Sequence, residues 1–476
     1  MEHDGSDNDV QWYDTITIEQ VRDEFTAVGA KVVWAKLMGR NNNSKQQVWL
    51  AGDPSDLSFL PLGVPSYNEG TSRKKKAGPL VVRIPVSWNW VVPGVGRFLA
   101  PDAKLCYYPQ YPEVRFSGFL RGCSMAPNEL MGPSKRGFEE GRVLFFATVD
   151  IDGEHPTVVA MVVGAPSPAA AYMYALGADA AGRPKPVVFP GMQVLDEISV
   201  LENALKGFVG EKVVPCRLLG DGTVIRPYIA QNAAGFTLEA EMGVGENSVP
   251  GPDFDVWELK AIKQVNLLKR HNHKVTLFTP QPDRGWITEH PQTDFVLRYG
   301  HVYKTNEQGK PVSYYFTSGD FEGIGTDKPS ARLRMQIEGF RNSKDFDPSG
   351  MIELVDKETG EVAAGWSFMK LLDHWQRKHN RAAYIPYAKE GDGESTLFEF
   401  GPLITLGIST SFGLFLQAFS EGKVVFDPGD KAVLRDGKWV PHSRSQFRIN
   451  LFDIGAIYQE TRFIDIRDDD ADDGQR

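Results

Sequence analysis

Seven short segments rich in β-branched and aromatic residues follow one another between residues 31 and 164, and turn-forming residues separate them. In chain order they are KVVWAKLM, QQVWLAG, PLVVRIPVSWNWVV, KLCYYP, EVRFSGF, RVLFFATVD and TVVAMVVG. A succession of strands this dense predicts a closed or nearly closed β-barrel rather than a βαβ domain.

Two helices are predicted at the ends of this β-rich region. IEQVRDEFTAVG has apolar residues near helical spacing, with Thr17 as its N-cap and Gly29 at its end. PAAAYMYALG, from Pro168, is the second helix. The proline-rich segment AGRPKPVVFPG, from Ala181, then marks a boundary.

The chain has 476 residues, which is too long for a single ordinary hydrophobic core. We therefore expect a mainly-β domain over residues 1–180, a proline-rich linker over 181–194 and a second, mixed α/β domain over 195–465. The C-terminal residues 466–476 are strongly acidic, which predicts a solvated, disordered tail.

The composition is that of a soluble globular protein, with 41% hydrophobic and 24% charged residues. No run of about 18 apolar residues occurs, and the acidic start MEHDGSDNDV is unlike a signal peptide, so we expect a cytoplasmic protein without a membrane partner. Cys106, Cys123 and Cys216 are widely spaced, which indicates buried thiols rather than disulfides or a zinc site.

Charged residues concentrate in GPDFDVWELK, which begins at Gly251. Val256 to Ile262 reads as a strand, so Glu258 and Lys260 share one face while the apolar Trp257 and Leu259 share the other with Ala261. Pro252 favours a turn or a strand start, which allows Asp253 to sit at the strand entrance and swing its carboxylate toward Glu258.

Two carboxylates and an ammonium group at one strand are what a hydrolytic metal site needs. Mg²⁺ prefers oxygen ligands, which Asp253 and Glu258 would supply together with water and a substrate phosphate. Lys260 would orient or help deprotonate the attacking water and offset the charge that develops on phosphorus. The alternative is that all three are solvated charges on the polar face of an ordinary strand.

The run AAGFTLEAEMGVGENSVPGPDFDVWELKA, followed by VTLFTPQPDRG, resembles the core signature of the MvaI/BcnI family of Type II restriction endonucleases. These are PD-(D/E)xK nucleases related to the mismatch-repair nickase MutH, and the resemblance covers roughly residues 200 to 470. It implies a restriction-endonuclease-like C-terminal domain with a central mixed β-sheet, Mg²⁺ as cofactor and double-stranded DNA as substrate. It also implies that Glu239, on the helix before the candidate strand, is a secondary metal contact, although an exposed helix charge is the plain alternative.

The segment HSRSQFRIN, from His442, resembles a family segment in the DNA-recognition lobe that usually reads Asp-x-Gly-Thr-x-Phe-Arg. Phe447 and Arg448 are retained, whereas His442 stands in the Asp position and Arg444 and Ser445 replace Gly-Thr. The resemblance makes Arg448 and Arg444 candidate DNA contacts. Without the family, both read as strand arginines in surface ion pairs.

The N-terminal strands resemble the effector domain of the restriction enzyme EcoRII, a DNA-binding pseudobarrel. The likeness lies in AKLMGRNNNSKQQVWLAG, YPEVRFSGF and VLFFATVD. It implies that Arg40, Asn43 and Lys45 in one loop, together with Arg115, approach DNA, since such side chains can read base edges. A plain polar hairpin connection is the alternative for this loop.

Further along the second domain, KVTLFT, FVLRYGHVYK and SYYFTSG are expected to continue the sheet. GWSFMKLLDHWQRKH, from Gly365, predicts an amphipathic helix with its aromatic residues in the core and with His374 and His379 on its polar face.

The net charge of −10 argues against DNA binding, but much of the acid lies in the two tails, and basic clusters occur at residues 73–76 and 260–274. Motifs of phosphate-loop ATPases, serine hydrolases and zinc proteases are absent from the sequence. The prediction is a monomeric, Mg²⁺-dependent Type II restriction endonuclease that leaves 5′-phosphate ends at a short site resembling CC-x-GG, with a cognate DNA methyltransferase as its system partner. The alternatives are a MutH-like nickase and a DNA-binding protein with an inactive nuclease fold.

Overall fold

The computed structural model describes residues 11–40, 47–69, 80–132, 135–151, 155–178, 181–191, 196–245 and 252–467. Backbone contacts divide the chain into two compact units. The N-terminal unit comprises Met1–Asn68, Val81–Tyr108 and Pro112–Leu195, and the C-terminal unit comprises Asp196–Arg476 with Glu69–Leu80 and Pro109–Tyr111. Within the described residues no helix has both the length and the apolar character needed to cross a bilayer.

The N-terminal unit is mainly β. Its strands are β1 (Trp34–Met38), β2 (Val48–Ala51), β3 (Ser66–Glu69), β4 (Leu80–Pro85), β5 (Trp88–Val92), β6 (Gly96–Leu99), β7 (Lys104–Tyr108), β8 (Glu113–Ser117), β9 (Arg142–Ile151), β10 (His155–Val163) and β11 (Lys185–Pro186). Its helices are α1 (Trp12–Thr15), α2 (Ile18–Ala27), α3 (Asn128–Met131) and α4 (Pro168–Ala175). All seven predicted strand segments contain strands, and the two predicted helices correspond to α2 and α4.

Two sheets form the N-terminal unit, one ordered β11-β1-β9-β10-β5-β6 and the other β2-β8-β7-β4-β3. Aromatic side chains from both sheets meet in the core: Trp88 of β5 lies 4.2 Å from Phe116 of β8 and 5.8 Å from Phe146 of β9, measured between ring centroids. All three rings are buried, and each stabilises the fold by about 2–3 kcal/mol. The predicted strands therefore form two sheets around one aromatic core, and their closure into a barrel stays a prediction.

The helix α2 begins and ends where the sequence indicates. Thr17 accepts a hydrogen bond from the Gln20 amide and the Gln20 side chain accepts one from the Thr17 amide, which is a capping box. Gly29 follows the helix at a φ of +79°, a conformation that glycine adopts without strain.

The proline-rich segment expected to be a linker is part of the N-terminal unit over its described residues. Lys185–Pro186 pairs with β1, and the side chains of Val187 and Phe189 are buried in the core beside α2 and α4. Its apolar residues therefore hold the described part of this segment against the N-terminal unit. The segment was predicted to be a linker, which would not pack in this way.

The C-terminal unit contains the remaining elements. Its helices are α5 (Glu197–Lys206), α6 (Ala233–Glu241), α7 (Gln292–Tyr299), α8 (Phe368–Lys378) and α9 (Phe412–Ser420). Its strands are β12 (Lys212–Val213), β13 (Arg217–Leu218), β14 (Val224–Ile225), β15 (Glu258–Lys263), β16 (Lys274–Phe278), β17 (His301–Thr305), β18 (Pro311–Thr317), β19 (Phe321–Glu322), β20 (Leu333–Asn342), β21 (Asp345–Asp356), β22 (Val362–Ser367), β23 (Arg381–Glu390), β24 (Leu397–Phe400), β25 (Leu403–Ile408), β26 (Val424–Phe426), β27 (Gly429–Arg435), β28 (Lys438–His442), β29 (Phe447–Asn450) and β30 (Glu460–Asp465).

A mixed sheet forms the centre of the C-terminal unit, as predicted. Its strand order is β12-β24-β23-β25-β30, with neighbours antiparallel, and β15 adds to β23 in parallel. Helices α5 and α6 bury Leu201, Leu205 and Leu238 against this sheet. β15 is therefore fixed by a parallel partner on one edge and by helices on one face.

The segments expected to continue this sheet instead contribute to two separate sheets, ordered β16-β29-β26 and β17-β18-β27-β28, and a further sheet is ordered β19-β20-β21-β22. Part of FVLRYGHVYK is also the helix α7 rather than a strand. The buried Phe295, Val296 and Tyr299 have the i, i+1, i+4 spacing of a helix face, and Gly300 ends the helix. The prediction of a continuous strand here was wrong.

Candidate active site

The candidate strand begins later than its sequence indicates. Phe254 and Trp257 exchange backbone hydrogen bonds across a tight turn in which Asp255 has a φ of +51°, so β15 starts at Glu258 and not at Val256. The buried Trp257 anchors the turn, since its indole nitrogen donates to the Glu197 carbonyl at 3.1 Å. Asp253 precedes the turn, and its Oδ2 accepts a hydrogen bond from the Leu259 amide at 3.0 Å.

Glu258 and Lys260 lie on one face of β15, as their alternation predicts. Lys260 Nζ contacts Glu258 Oε1 at 2.6 Å. Glu258 is only 4% exposed, and its second oxygen, Oε2, accepts no hydrogen bond from the described part of the chain. A buried carboxylate oxygen without a donor is costly unless a cation lies beside it.

Lys378, the last residue of α8, provides that cation. Its Nζ lies 3.1 Å from Asp253 Oδ1 and 3.5 Å from Glu258 Oε2, so one ammonium group joins the two acids. Lys378 was not among the site residues predicted from the sequence. A lysine at a helix C-terminus is ordinary, because it complements the helix dipole, and so nothing local distinguishes it.

Burial and the neighbouring charges shift the pKa values of Asp253 and Glu258 in opposite directions. Burial raises the pKa of Asp253, and so does the neighbouring Glu258, while Lys378 opposes the shift. Burial alone would also raise the pKa of Glu258, but Lys260 and Lys378 outweigh it and hold that pKa below its usual value. Glu258 is therefore the more firmly ionised of the two.

Glu239 lies on α6, the helix predicted to carry it, and interacts electrostatically with the same group. Burial, followed by the charge of Asp253, raises its pKa to about 7, and Lys378 partly opposes this. Glu239 is therefore not simply an exposed helix charge, because its acidity responds to both site carboxylates.

The donor set fits a hard divalent cation. Asp253 and Glu258 each direct one oxygen to the same ammonium group, and Glu258 Oε2 is buried without a hydrogen bond. Two carboxylate oxygens complemented by water and substrate are sufficient for Mg²⁺. No cluster of three or more His, Cys, Asp or Glu side chains placed to hold a metal is found among the described residues, so an all-protein cage is not formed there.

A model of the MvaI/BcnI restriction endonuclease family matches residues 203–458, which is more than half of the chain. This chain belongs to the MvaI/BcnI restriction endonuclease family. Membership implies a nuclease that acts on DNA, and the matched region contains the whole cluster around Asp253, Glu258, Lys260 and Lys378. No curated protein matches the chain.

Two solved structures are similar to this family member. The complex of MvaI with its cognate DNA substrate has 19% sequence identity and a TM-score of 0.39, and 57% of this chain and 99% of that chain are covered. MvaI in the absence of DNA has 19% identity and a TM-score of 0.32, with 57% and 100% covered. Both TM-scores are low, so the assignment rests on the family-model match.

Of the two histidines predicted on the polar face of α8, His374 lies on the helix and is half-buried, whereas His379 follows the helix and is buried. The helix starts at Phe368 with Ser367 as its cap, because the preceding residues complete β22. His379 is 3% exposed and stacks on Trp375 with ring centroids 4.4 Å apart. Burial, followed by the charge of Lys260, lowers the pKa of His379 well below its usual value. The pKa of the half-buried His374 is also lowered, chiefly by burial.

The predicted DNA contacts of the C-terminal unit differ from each other. Arg448 donates to Asp427 Oδ2 and to the Lys274 carbonyl, both at 2.7 Å, so its guanidinium ties strands together. Arg444 is exposed, and a Cβ added at Gly429 would meet its guanidinium, which therefore lies across that glycine. Arg444 is the more available of the two to a ligand.

The predicted DNA contacts of the N-terminal unit are only partly described. Asn43 and Lys45 lie outside the described residues, as does the basic cluster at 73–76. Arg40 is exposed at the end of β1 and lines a cavity of about 220 Å³. Arg115 pairs with Glu113 at 2.9 Å, which neutralises it. The family match does not include this unit, so its likeness to the EcoRII effector domain stays a prediction.

Proposed function

We propose that this protein is a Type II restriction endonuclease that hydrolyses phosphodiester bonds of double-stranded DNA in a Mg²⁺-dependent reaction. Asp253 and Glu258 would bind the cation, and Lys260 would act on the attacking water. The observation that carries the proposal is the buried Glu258 oxygen that lacks a hydrogen bond and faces the ammonium that also contacts Asp253. A buried carboxylate oxygen that accepts no hydrogen bond favours a cation beside it, and Mg²⁺ is a cation that prefers such oxygen ligands.

Asp253 and Glu258 would hold the cation, and Glu239 would bind it through water. When bound, Mg²⁺ acidifies a coordinated water and neutralises charge on the scissile phosphate. The backbone amide of Leu259 donates to Asp253 Oδ2 and so orients the carboxylate before a cation binds. Preorganised charges of this kind contribute most when water is excluded from them.

Lys260 would position the attacking water and stabilise the developing negative charge. Its ammonium contacts Glu258 Oε1, and its side chain is 24% exposed, so it can reach a substrate while remaining tethered. Attack in line with the 3′-oxygen as leaving group would give 5′-phosphate ends. A monomer with one such site would cut the two strands in sequence.

The finer parts of the proposal are a short recognition site resembling CC-x-GG, action in the cytoplasm and a cognate DNA methyltransferase as system partner. The N-terminal unit would assist target binding. These parts rest on the family likeness and on the resemblance of that unit to the EcoRII effector domain.

Incubation of supercoiled plasmid with the protein and Mg²⁺ tests the proposal. Linear DNA is expected in the presence of Mg²⁺. In the control with EDTA, the plasmid should stay uncut. Open-circular DNA as the end product would instead indicate a MutH-like nickase, and retarded but uncut DNA would indicate a binding protein. Sequencing the ends of digested genomic DNA would then define the recognition site.

A further inference from the structure

The four-stranded sheet β17-β18-β27-β28 has one covered and one open face. On the covered face, Phe316 packs on Phe295 of α7 with ring centroids 5.0 Å apart, and Asp430 accepts a hydrogen bond from Gln292 of the same helix at 3.2 Å. Residues directly opposite one another in a sheet point to the same face, so the pairing register shows what the other face carries.

The open face carries a row of basic and aromatic side chains. His301, Tyr315, Lys431 and His442 are consecutive cross-strand partners, so they form one row across all four strands. At a strand spacing of about 4.8 Å the row is about 14 Å long. Two pairs farther along the same face, Arg435 lies opposite Lys438.

Aromatic contacts hold this row in place. Tyr303 stacks on Tyr315 with centroids 4.0 Å apart and an interplanar angle of 10°. Lys431 Nζ lies 4.4 Å from the Tyr315 ring centroid. Arg444 joins the same face, because its guanidinium lies where a Gly429 side chain would project, two residues from Lys431 along β27. The lysine and the arginine are therefore held side by side.

Most basic side chains of this face have no ion-pair partner among the described residues. Within the part of the chain that the structure describes, no carboxylate is within ion-pair distance of the five cations Lys304, Lys431, Arg435, Lys438 and Arg444. His301 alone is paired, with Asp320 at 2.8 Å. The four strands contain one acidic residue, Asp430, which lies on the covered face. Its carboxylate accepts a hydrogen bond from the backbone amide of Arg444 at 2.6 Å, so Asp430 binds the backbone of Arg444 and forms no ion pair with its guanidinium. In a chain with a net charge of −10, such segregation of positive charge indicates an anionic partner.

We propose that this open face, which we call the cationic sheet face, contacts the phosphate backbone of double-stranded DNA through Lys431 and Arg444. The proposal rests on the nuclease function proposed above, and DNA is its one intended occupant. Duplex DNA presents one negative charge per about 1.7 Å of its axis, which the neighbouring ammonium of Lys431 and guanidinium of Arg444 complement. Phosphate contacts position the duplex without reading its sequence.

The test is the salt dependence of DNA binding, measured by fluorescence anisotropy with the full-length protein and a mixed-sequence duplex in EDTA. The Lys431→Met/Arg444→Met variant should lower the magnitude of the slope of log K against log salt by about 2, since each lost phosphate contact removes about 0.9. Its affinity should fall by about tenfold or more at moderate salt.

The matched control is Lys212→Met/Lys423→Met, which removes the same charge from two lysines already paired with Glu390 and Glu421. It should leave the slope unchanged. Thermal unfolding should be alike in all three proteins, because none of the four substituted side chains is buried and methionine keeps the apolar stem of each.

Plasmid cleavage by the wild type separates the two proposals. If the wild type cuts DNA but Lys431→Met/Arg444→Met has an unchanged salt slope, the proposed role of the cationic sheet face is wrong and the nuclease function stands. The same conclusion follows if the control variant shows an equal decrease in the salt slope. A wild type that neither binds nor cuts DNA overturns both.

Discussion

Replacement of Lys378 by methionine removes the ammonium that joins the two candidate metal ligands. Its Nζ lies 3.1 Å from Asp253 Oδ1 and 3.5 Å from Glu258 Oε2. At an effective dielectric constant of about 20, Coulomb's law gives about 5 kcal/mol of attraction for each contact, and desolvation offsets most of it. Breaking a buried pair costs about 3–5 kcal/mol. Because the Lys378 side chain is 40% exposed, solvent screens it, and about 1–2 kcal/mol of destabilisation is expected in EDTA.

Magnesium should reverse this loss, because a divalent cation takes over the neutralising role of the ammonium. Removing one positive charge beside two carboxylates also makes the site more attractive to Mg²⁺. We expect apparent Mg²⁺ affinity to rise by about tenfold, which corresponds to about 1.4 kcal/mol of extra metal-linked stabilisation.

The assay is calorimetric unfolding of wild type and Lys378→Met in EDTA and across a Mg²⁺ series, with Mg²⁺ affinity measured by titration calorimetry. Lys370→Met is the control, since it makes the same substitution two turns earlier on α8. Equal stability in EDTA and an equal response to Mg²⁺ in Lys378→Met and wild type would refute the reasoning.

Three further outcomes follow from the same contacts. Glu239, whose pKa is raised from 4.5 to about 7, binds its proton more tightly in the folded than in the unfolded state. Stability in EDTA should therefore fall by about 1–2 kcal/mol between about pH 5 and 7, and Glu239→Gln should flatten this fall in thermal unfolding measured against pH. Arg448→Met should lower stability by about 1–3 kcal/mol in urea unfolding and leave the salt slope of DNA binding unchanged; a lower slope would show a phosphate contact. Lys260→Ala should abolish plasmid cleavage while DNA binding persists, and cleavage at the wild-type rate would remove Lys260 from the mechanism.

Local sequence signals account for much of the fold. The seven N-terminal strand segments were recognisable because their β-branched and aromatic residues end at turn residues, and α2 because Thr17 and Gly29 mark its ends. The prediction that Glu258 and Lys260 share a face is confirmed because strand alternation is a property of the backbone.

Features set by tertiary packing were not predictable in the same way. The turn from Phe254 to Trp257 shortens β15, and only the burial of Trp257 makes that turn favourable. Lys378 is 125 residues from Asp253 in sequence, and it reaches the site only because the following strand, β23, pairs in parallel with β15. No pattern within α8 distinguishes this lysine from a solvated one.

The contacts of the two arginines predicted to bind DNA also depend on tertiary packing. Arg444 and Arg448 are equivalent as sequence candidates for DNA binding, yet Arg448 is held by Asp427 and Arg444 lies across Gly429 on the cationic sheet face. The difference depends on whether a carboxylate from another strand lies within reach. Sequence patterns identify a charged side chain but not its partner.

Single-turnover cleavage of a plasmid by Glu258→Gln tests the role of the buried acid pair most directly. Glutamine retains the size of the side chain and removes its charge, so the folded structure and DNA binding should be preserved. We expect the cleavage rate in Mg²⁺ to fall by about a thousandfold or more relative to wild type. Cleavage by Glu258→Gln at the wild-type rate would contradict the account.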